Sequence, residues 1–435
     1  LSDALRRGLG PATATFLVVG NMIGAGVFTT SGFAIADLRS RGLLLLAWAI
    51  GGVAAACGAL CYGALARAIP ESGGEYTFLG RTVHPRAGAM AGWVSLTAGF
   101  TAPIAAAALG LQAYLVSTFP IAGDARWVGT AAIALAALLH GLRLAPGVVA
   151  QNAVVVVKLL LIGYFVHLGL RPMGGAMVPM DRTMLDASGF DPGAFAVTLV
   201  WISLAYSGWN AAVYVAGEVR DPRKNVPVAL LFGTGLVTVA YLALNATFLR
   251  AAPLVDLAGK AEVGAIAAEA LGGPSLRKLL TGIVALALFS SVSSMVMAGP
   301  RVYARMAQDG ALPGVFGRGL EVPRVAVLLQ AVLAIVVVWL TDLRELLSYA
   351  GFTLSLCAAT TVVGLVRLRG RLGAAAVPVL GWPLVPGLYL AITLFAGGFM
   401  LWRRPQEAWF GLATLLLALV LPAGRGGVAP RDGKT

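Results

Sequence analysis

The chain has 435 residues, 59% of them hydrophobic and only 12% charged, with a mean hydropathy of +0.85. That balance excludes a string of water-soluble domains and fits one bilayer-embedded unit, whose helices need about 20 apolar residues each to cross about 30 Å of hydrocarbon. The formal net charge of +13 does not mark a nucleic-acid binder, because the Lys and Arg residues fall almost entirely between apolar runs.

Along the chain, apolar runs bounded by charge, proline or glycine predict twelve transmembrane helices. They cover residues 12–33, 43–66, 87–117, 127–142, 148–170, 193–216, 227–249, 278–307, 324–341, 343–366, 379–401 and 406–422. The start, Leu1 to Arg7, lacks a signal-peptide cleavage pattern, so the first run is expected to stay in the membrane. An even number of spans puts both termini on one side. That side receives nineteen Lys and Arg residues, among them Arg67, Arg81, Arg220, Lys224, Arg301 and Arg367, and the opposite side twelve. The positive-inside bias then predicts cytoplasmic termini in a multi-pass protein of the cell membrane. The remaining basic residue, Lys158, falls in the middle of the fifth run. Cys57, Cys61 and Cys357 lie inside apolar runs and read as small packing residues rather than disulfide partners or metal ligands. Trp48, Trp93, Trp127, Trp382 and Trp402, near run ends, are expected as interfacial anchors.

The first run contains Val18-Val19-Gly20-Asn21-Met22-Ile23-Gly24-Ala25-Gly26-Val27-Phe28. Three glycines and an asparagine weaken a helix at membrane depth, where irregular backbone persists only if protein or a water-filled cavity satisfies its polar groups. A half-helix starting after such a break aims free N–H groups and the positive end of its dipole at an anion such as a carboxylate. Tight helix packing through Gly24-Ala25-Gly26 is the other reading of the same residues. The sixth run holds a second candidate break, Leu204-Ala205-Tyr206-Ser207-Gly208-Trp209-Asn210. Two interrupted spans separated by this distance suit a carrier built of two five-helix inverted repeats, with substrate bound between the breaks near the midplane. Spacing alone carries that repeat, since the halves share no recognisable sequence.

Four stretches resemble the amino acid–polyamine–organocation (APC) superfamily, and within it the L-type amino acid exchangers. They are Ile23-Gly24-Ala25-Gly26-Val27-Phe28; Pro70-Glu71-Ser72-Gly73-Gly74-Glu75-Tyr76; Ala205-Tyr206-Ser207-Gly208-Trp209-Asn210 followed by Glu218-Val219-Arg220-Asp221-Pro222-Arg223-Lys224-Asn225-Val226-Pro227; and Pro300-Arg301-Val302-Tyr303-Ala304-Arg305-Met306-Ala307-Gln308-Asp309-Gly310-Ala311-Leu312-Pro313. The resemblance covers about residues 10–370. It implies an all-α integral membrane protein of LeuT-type fold, with discontinuous helices 1 and 6. Residues 1–370 would form the inverted-repeat transport core, and residues 371–435 two accessory helices and a cytoplasmic tail. It also implies transport of neutral L-amino acids by alternating access. The implied substrate site takes Asn21, Met22, Ile23, Gly24, Ala25 and Gly26 from the first break and Leu204, Ala205, Ser207, Trp209 and Asn210 from the second. Backbone N–H groups around Ala25 and Gly26 suit a carboxylate, and carbonyls freed at Met22, Leu204 and Ser207 suit an ammonium. Leu204 stands where the large-neutral exchangers carry an aromatic gate, which favours small to medium side chains.

A lysine at the centre of a span costs about 2.5–3.5 kcal/mol on insertion scales, so Lys158 needs partners. In sodium-coupled relatives a cation bridges the first and eighth helices, whereas in sodium-independent members a fifth-helix lysine reaches the same place. The resemblance therefore gives Lys158 the carbonyls near Gly24 and the hydroxyls of Ser291, Ser293 or Ser294, and implies sodium-independent transport, with exchange preferred. A Lys158 that releases and rebinds a proton in each cycle would instead make a proton symporter, and the residues leave both open. His140 and His167 near helix ends and His84 in a loop read as solvated or locally bonded. A membrane enzyme, a channel or an ATP-driven pump finds no supporting constellation, charge ring or phosphate loop. A cationic amino acid or polyamine carrier is the alternative, disfavoured because neither broken segment holds a carboxylate. No cofactor or metal is expected. The expected partners are an amino acid and the lipid bilayer, with no nucleic acid and no obligatory partner subunit.

Overall fold

A computed structural model describes residues 8–142, 148–171, 190–308, 310–317 and 324–421. The described residues are helical, apart from loops and one isolated backbone bridge between Leu9 and Val219. The first span is split into α1 (Pro11–Met22) and α2 (Ala25–Leu38), followed by α3 (Arg41–Ala68), whose first turn is capped by the Ser40 hydroxyl. The segment between the second and third apolar runs winds into α4 (Gly74–Thr82). Next, α5 (Pro85–Val94) passes through a π-helical stretch, Ser95–Thr101, into α6 (Ala102–Thr118). Hydrophobic periodicity carries no mark of that π stretch; such wide turns concentrate at functional sites. Then come α7 (Arg126–Gly141), α8 (Val148–Leu170), and a split sixth span of α9 (Pro192–Ala205) and α10 (Ala211–Tyr214). Asp191 caps α9 by accepting from the N–H groups of Gly193 and Ala194. The remainder is α11 (Pro222–Ala251), the short α12 (Leu254–Leu257), α13 (Val263–Gln308) with non-helical Gly272 and Gly273, α14 (Arg324–Leu340), α15 (Leu343–Leu372), α16 (Leu384–Arg403) and α17 (Pro405–Val420).

Eight helices among the described residues are long and apolar enough to cross a membrane, and three shorter ones are apolar. Around the breaks, α11 packs along α1 and α3, α13 along α6, and α9 is enclosed by α2, α15 and α16. Leu160, Phe232 and Leu328 point outward, as befits an apolar solvent. Trp127 and Trp402 are exposed near helix ends, but Trp48 is fully buried against the rings of Tyr206 and Tyr241. The anchor expectation is corrected there: a large ring flanked by two aromatics gains more from the core than from the interface.

Candidate functional site

The two breaks face each other. In the first, Ile23 and Gly24 leave helical dihedrals; in the second, Gly208 sits at φ +95°, in the left-handed region that favours glycine. A Cβ built on Gly26 would lie 2.3 Å from the Ala205 Cα, and one built on Gly208 would lie 2.8 Å from the Asn21 carbonyl carbon. Backbone meets backbone at both points, so small residues here set how closely the unwound segments approach. Tyr241 on α11, fully buried, shares its hydroxyl proton between the Met22 carbonyl at 2.5 Å and the Ala205 carbonyl at 3.1 Å. One side chain thus holds the last carbonyls of α1 and α9. The one sequence signal for Tyr241 is that a tyrosine at membrane depth needs an acceptor for its hydroxyl. Tyr241→Phe is expected to destabilise the protein by about 1–3 kcal/mol, the penalty of leaving buried carbonyls unpaired, and to slow transport. Thermal unfolding in detergent beside uptake in vesicles checks it.

In front of the breaks lies a cavity of about 1430 Å³. Asn21 reaches it from the first break; Ser207, Gly208, Trp209 and Asn210 from the second; Ser95, Gly99 and Phe100 from the π stretch. Lys158, Ser203, Ser290, Ser294 and Ser355 complete much of its polar lining. The cavity reaches the surface among exposed Glu71, Ser72, Glu218 and Arg301, at the end of the bundle where α1 begins. At the opposite end, Arg344 forks onto both oxygens of Asp37 at 2.5 and 2.6 Å, with its guanidinium 4.9 Å from the Trp201 ring centre. That contact ties α2, α9 and α15 together.

Of the residues expected at the substrate site, Asn21, Ser207, Trp209 and Asn210 line the cavity. Met22, Ile23, Ala25, Leu204 and Ala205 are buried behind its wall, while Gly24 and Gly26 stay partly exposed. One expected acceptor is corrected: the Met22 carbonyl already accepts from Tyr241 and the Gly24 N–H, whereas the Leu204 carbonyl accepts from the Ser207 N–H and keeps a second lone pair. Ala25 and Gly26 open α2, where the first N–H groups have no acceptor inside the helix.

Lys158 is 6% exposed and donates to the Ile23 carbonyl at 3.3 Å, a group released by the first break. Ser291 Oγ stands 3.6 Å from where a Gly24 Cβ would be, and Ser294 shares the cavity wall with Lys158. Ser293 is directed elsewhere: its hydroxyl bonds His140 Nε2 at 2.9 Å, which removes Ser293 from the lysine's partners and makes His140 locally bonded. A second buried titratable residue, Glu75, also lines the cavity. Its Oε1 accepts from the Tyr62 hydroxyl at 3.0 Å and Asn210 Nδ2 at 2.5 Å, and its Oε2 from the Tyr214 hydroxyl at 2.6 Å. In the sequence, Glu75 is one polar residue of the Pro70–Tyr76 stretch, with no apolar run around it to mark it.

Apolar helices in number, two of them interrupted at one cavity that opens at one end, define a membrane carrier. The chain belongs to the amino acid permease family, whose model matches residues 9–423. It is similar to the large neutral amino acids transporter small subunit 2 of Mus musculus, at 27% identity over 426 residues, covering 95% of this chain and 80% of that protein. It is also similar to the mouse Asc-type amino acid transporter 1, at 28% over 436 residues with 95% and 80% covered. The mouse b(0,+)-type amino acid transporter 1 is 24% identical over 401 residues, with 91% and 82% covered. The chain is accordingly an amino acid transporter of the APC superfamily and not an enzyme.

Proposed function

We propose that this chain is a sodium-independent exchanger of neutral L-amino acids with small to medium side chains, working by alternating access in the cell membrane. The observation that carries this reading is the contact of two helix breaks, Asn21 against Gly208 and Gly26 against Ala205, beside one cavity in an amino acid permease. Substrate carboxylate would meet the opening N–H groups of α2, and substrate ammonium the acceptors of the wall, Asn210 Oδ1 among them. Lys158 would stand in for a coupling cation between the first break and α13, with Ser291 and Ser294 beside it. The size preference rests on the sequence of the second break, because Leu204 does not line the cavity.

The full proposal is a LeuT-type arrangement of twelve spans, for which the eight long helices, the three shorter apolar ones and Arg126–Gly141 supply the number. Residues 1–370 would be the transport core and residues 371–435 the accessory part. Both termini would be cytoplasmic, which places the cavity mouth inside; cysteines introduced at the termini should label in cells only after permeabilisation. Lys158 facing the cavity favours a second reading, proton-coupled symport. A cationic amino acid or polyamine carrier has weaker support, because the carboxylate in the wall, Glu75, is already committed to three donors.

One relative is named a small subunit, which denotes one chain of an assembly and weighs against the expectation that no partner is needed. All three cysteines here are buried, so a disulfide tether has no support, and we propose that the lone chain is active. The purified chain in proteoliposomes without sodium tests all of this. Labelled alanine, serine and leucine are expected to enter only vesicles preloaded with amino acid. Uptake into empty vesicles under an inward proton gradient would select symport, and no uptake by the lone chain would overturn the reading.

A further inference from the structure

We infer that Glu75 is the positioning residue that sets the Asn210 carboxamide in the cavity wall, and through it governs substrate affinity. The inference rests on the cavity being the amino acid site.

Glu75 lies in the first turn of α4, outside both breaks, yet the residue is only 6% exposed and lines the cavity. The ion pairs found among the described residues do not include it. A buried carboxylate without a cation persists only when hydrogen-bond donors converge on it, and three do: Tyr62 from α3, and Asn210 and Tyr214 from the inner part of the sixth span. The α4 segment is also fastened to that part by its backbone, since the Gly73 N–H donates to the Tyr214 carbonyl at 3.2 Å and the Gly217 N–H to Ser72 Oγ at 2.9 Å. Glu75 is therefore carried on a frame that keeps its distance from Asn210.

The chemistry fixes which way the amide turns. Asn210 meets Glu75 Oε1 through Nδ2, so its NH₂ faces Glu75 and the acceptor Oδ1 faces away from it. A carboxamide on a cavity wall is otherwise free to present either end, and only the oxygen suits an ammonium. Holding the residue in one orientation in advance removes that ordering cost from binding. Tyr62 and Tyr214 complete the acceptor shell of the carboxylate and keep it from turning to the substrate itself.

The test is exchange kinetics in proteoliposomes for the wild type, E75Q, N210A and E75Q/N210A, with a thermal unfolding midpoint for each. Glutamine can offer an N–H to Asn210 and so releases the amide from its single orientation. E75Q is expected to raise KM for alanine and serine roughly tenfold, the effect of about one hydrogen bond, with the maximal rate within about twofold of wild type. In the N210A background, E75Q should add nothing to KM. Additive effects of the two substitutions, or an E75Q change confined to the maximal rate, would overturn the inference while leaving the transporter reading intact. Failure of wild-type exchange would overturn the transporter reading instead. Where E75Q does not reach the membrane, E75D serves: it keeps the acceptor but shortens its reach, and its KM rise must likewise vanish in N210A.

Discussion

Lys158→Ala is expected to lower the exchange rate roughly 10- to 100-fold without making it respond to sodium, the range that loss of one charged, buried hydrogen bond allows. The ammonium on α8 is nearly buried and donates to the Ile23 carbonyl, which the first break has released from α1. Removing it leaves that carbonyl without its donor at membrane depth and opens a gap between the first break and α8. The change also removes a positive charge from the cavity wall, but it adds no carboxylate or carbonyl to bind sodium in its stead. Uptake in sodium and in choline, with membrane content measured alongside, checks the result. Normal kinetics in the folded variant would refute any coupling role for the lysine.

Gly26→Val should abolish transport while folded protein remains in the membrane. Carbon atoms rest about 3.5–4.0 Å apart, so the 2.3 Å separation found for a Cβ at this site obliges α2 and α9 to part by roughly 1 Å or more. Overpacking of this kind costs about 1–3 kcal/mol, which a bundle with so many buried residues tolerates, whereas displaced reacting groups lose function steeply. The N–H groups proposed to hold the substrate carboxylate ride on α2, and the Asn210 wall follows α9. Uptake and binding of labelled substrate in detergent-extracted protein read the effect. A Gly26→Val protein that transports at the wild-type rate would sink the carboxylate-site assignment along with the contact.

Both breaks were legible as sequence because glycines and polar residues interrupt otherwise continuous apolar runs, and the bilayer tolerates that only at a cavity. Lys158 was legible for the same reason. Glu75 and Tyr241 were not. Glu75 stands in a polar loop, where a carboxylate draws no notice, and only folding of that loop into α4 carries it to the cavity wall. Tyr241 stands in an apolar helix whose direction toward the breaks is set by the packing of α11 on α1 and α3. The surroundings of Trp48 and Ser293 do not follow from the chain, because depth along a helix can be counted from it but the face a side chain presents cannot.

Composition and apolar runs by themselves pointed to a bilayer protein of many helices and to two weakened spans, because hydrocarbon imposes one rule on every spanning backbone: satisfy each polar group within the segment or at a cavity. The tertiary structure decided which residues actually meet. Gly26 faces Ala205, Gly208 faces Asn21, and Glu75 faces Asn210 across 135 positions of chain. Such contacts depend on how helices rotate and cross, and those angles come from the fit of many side chains at once.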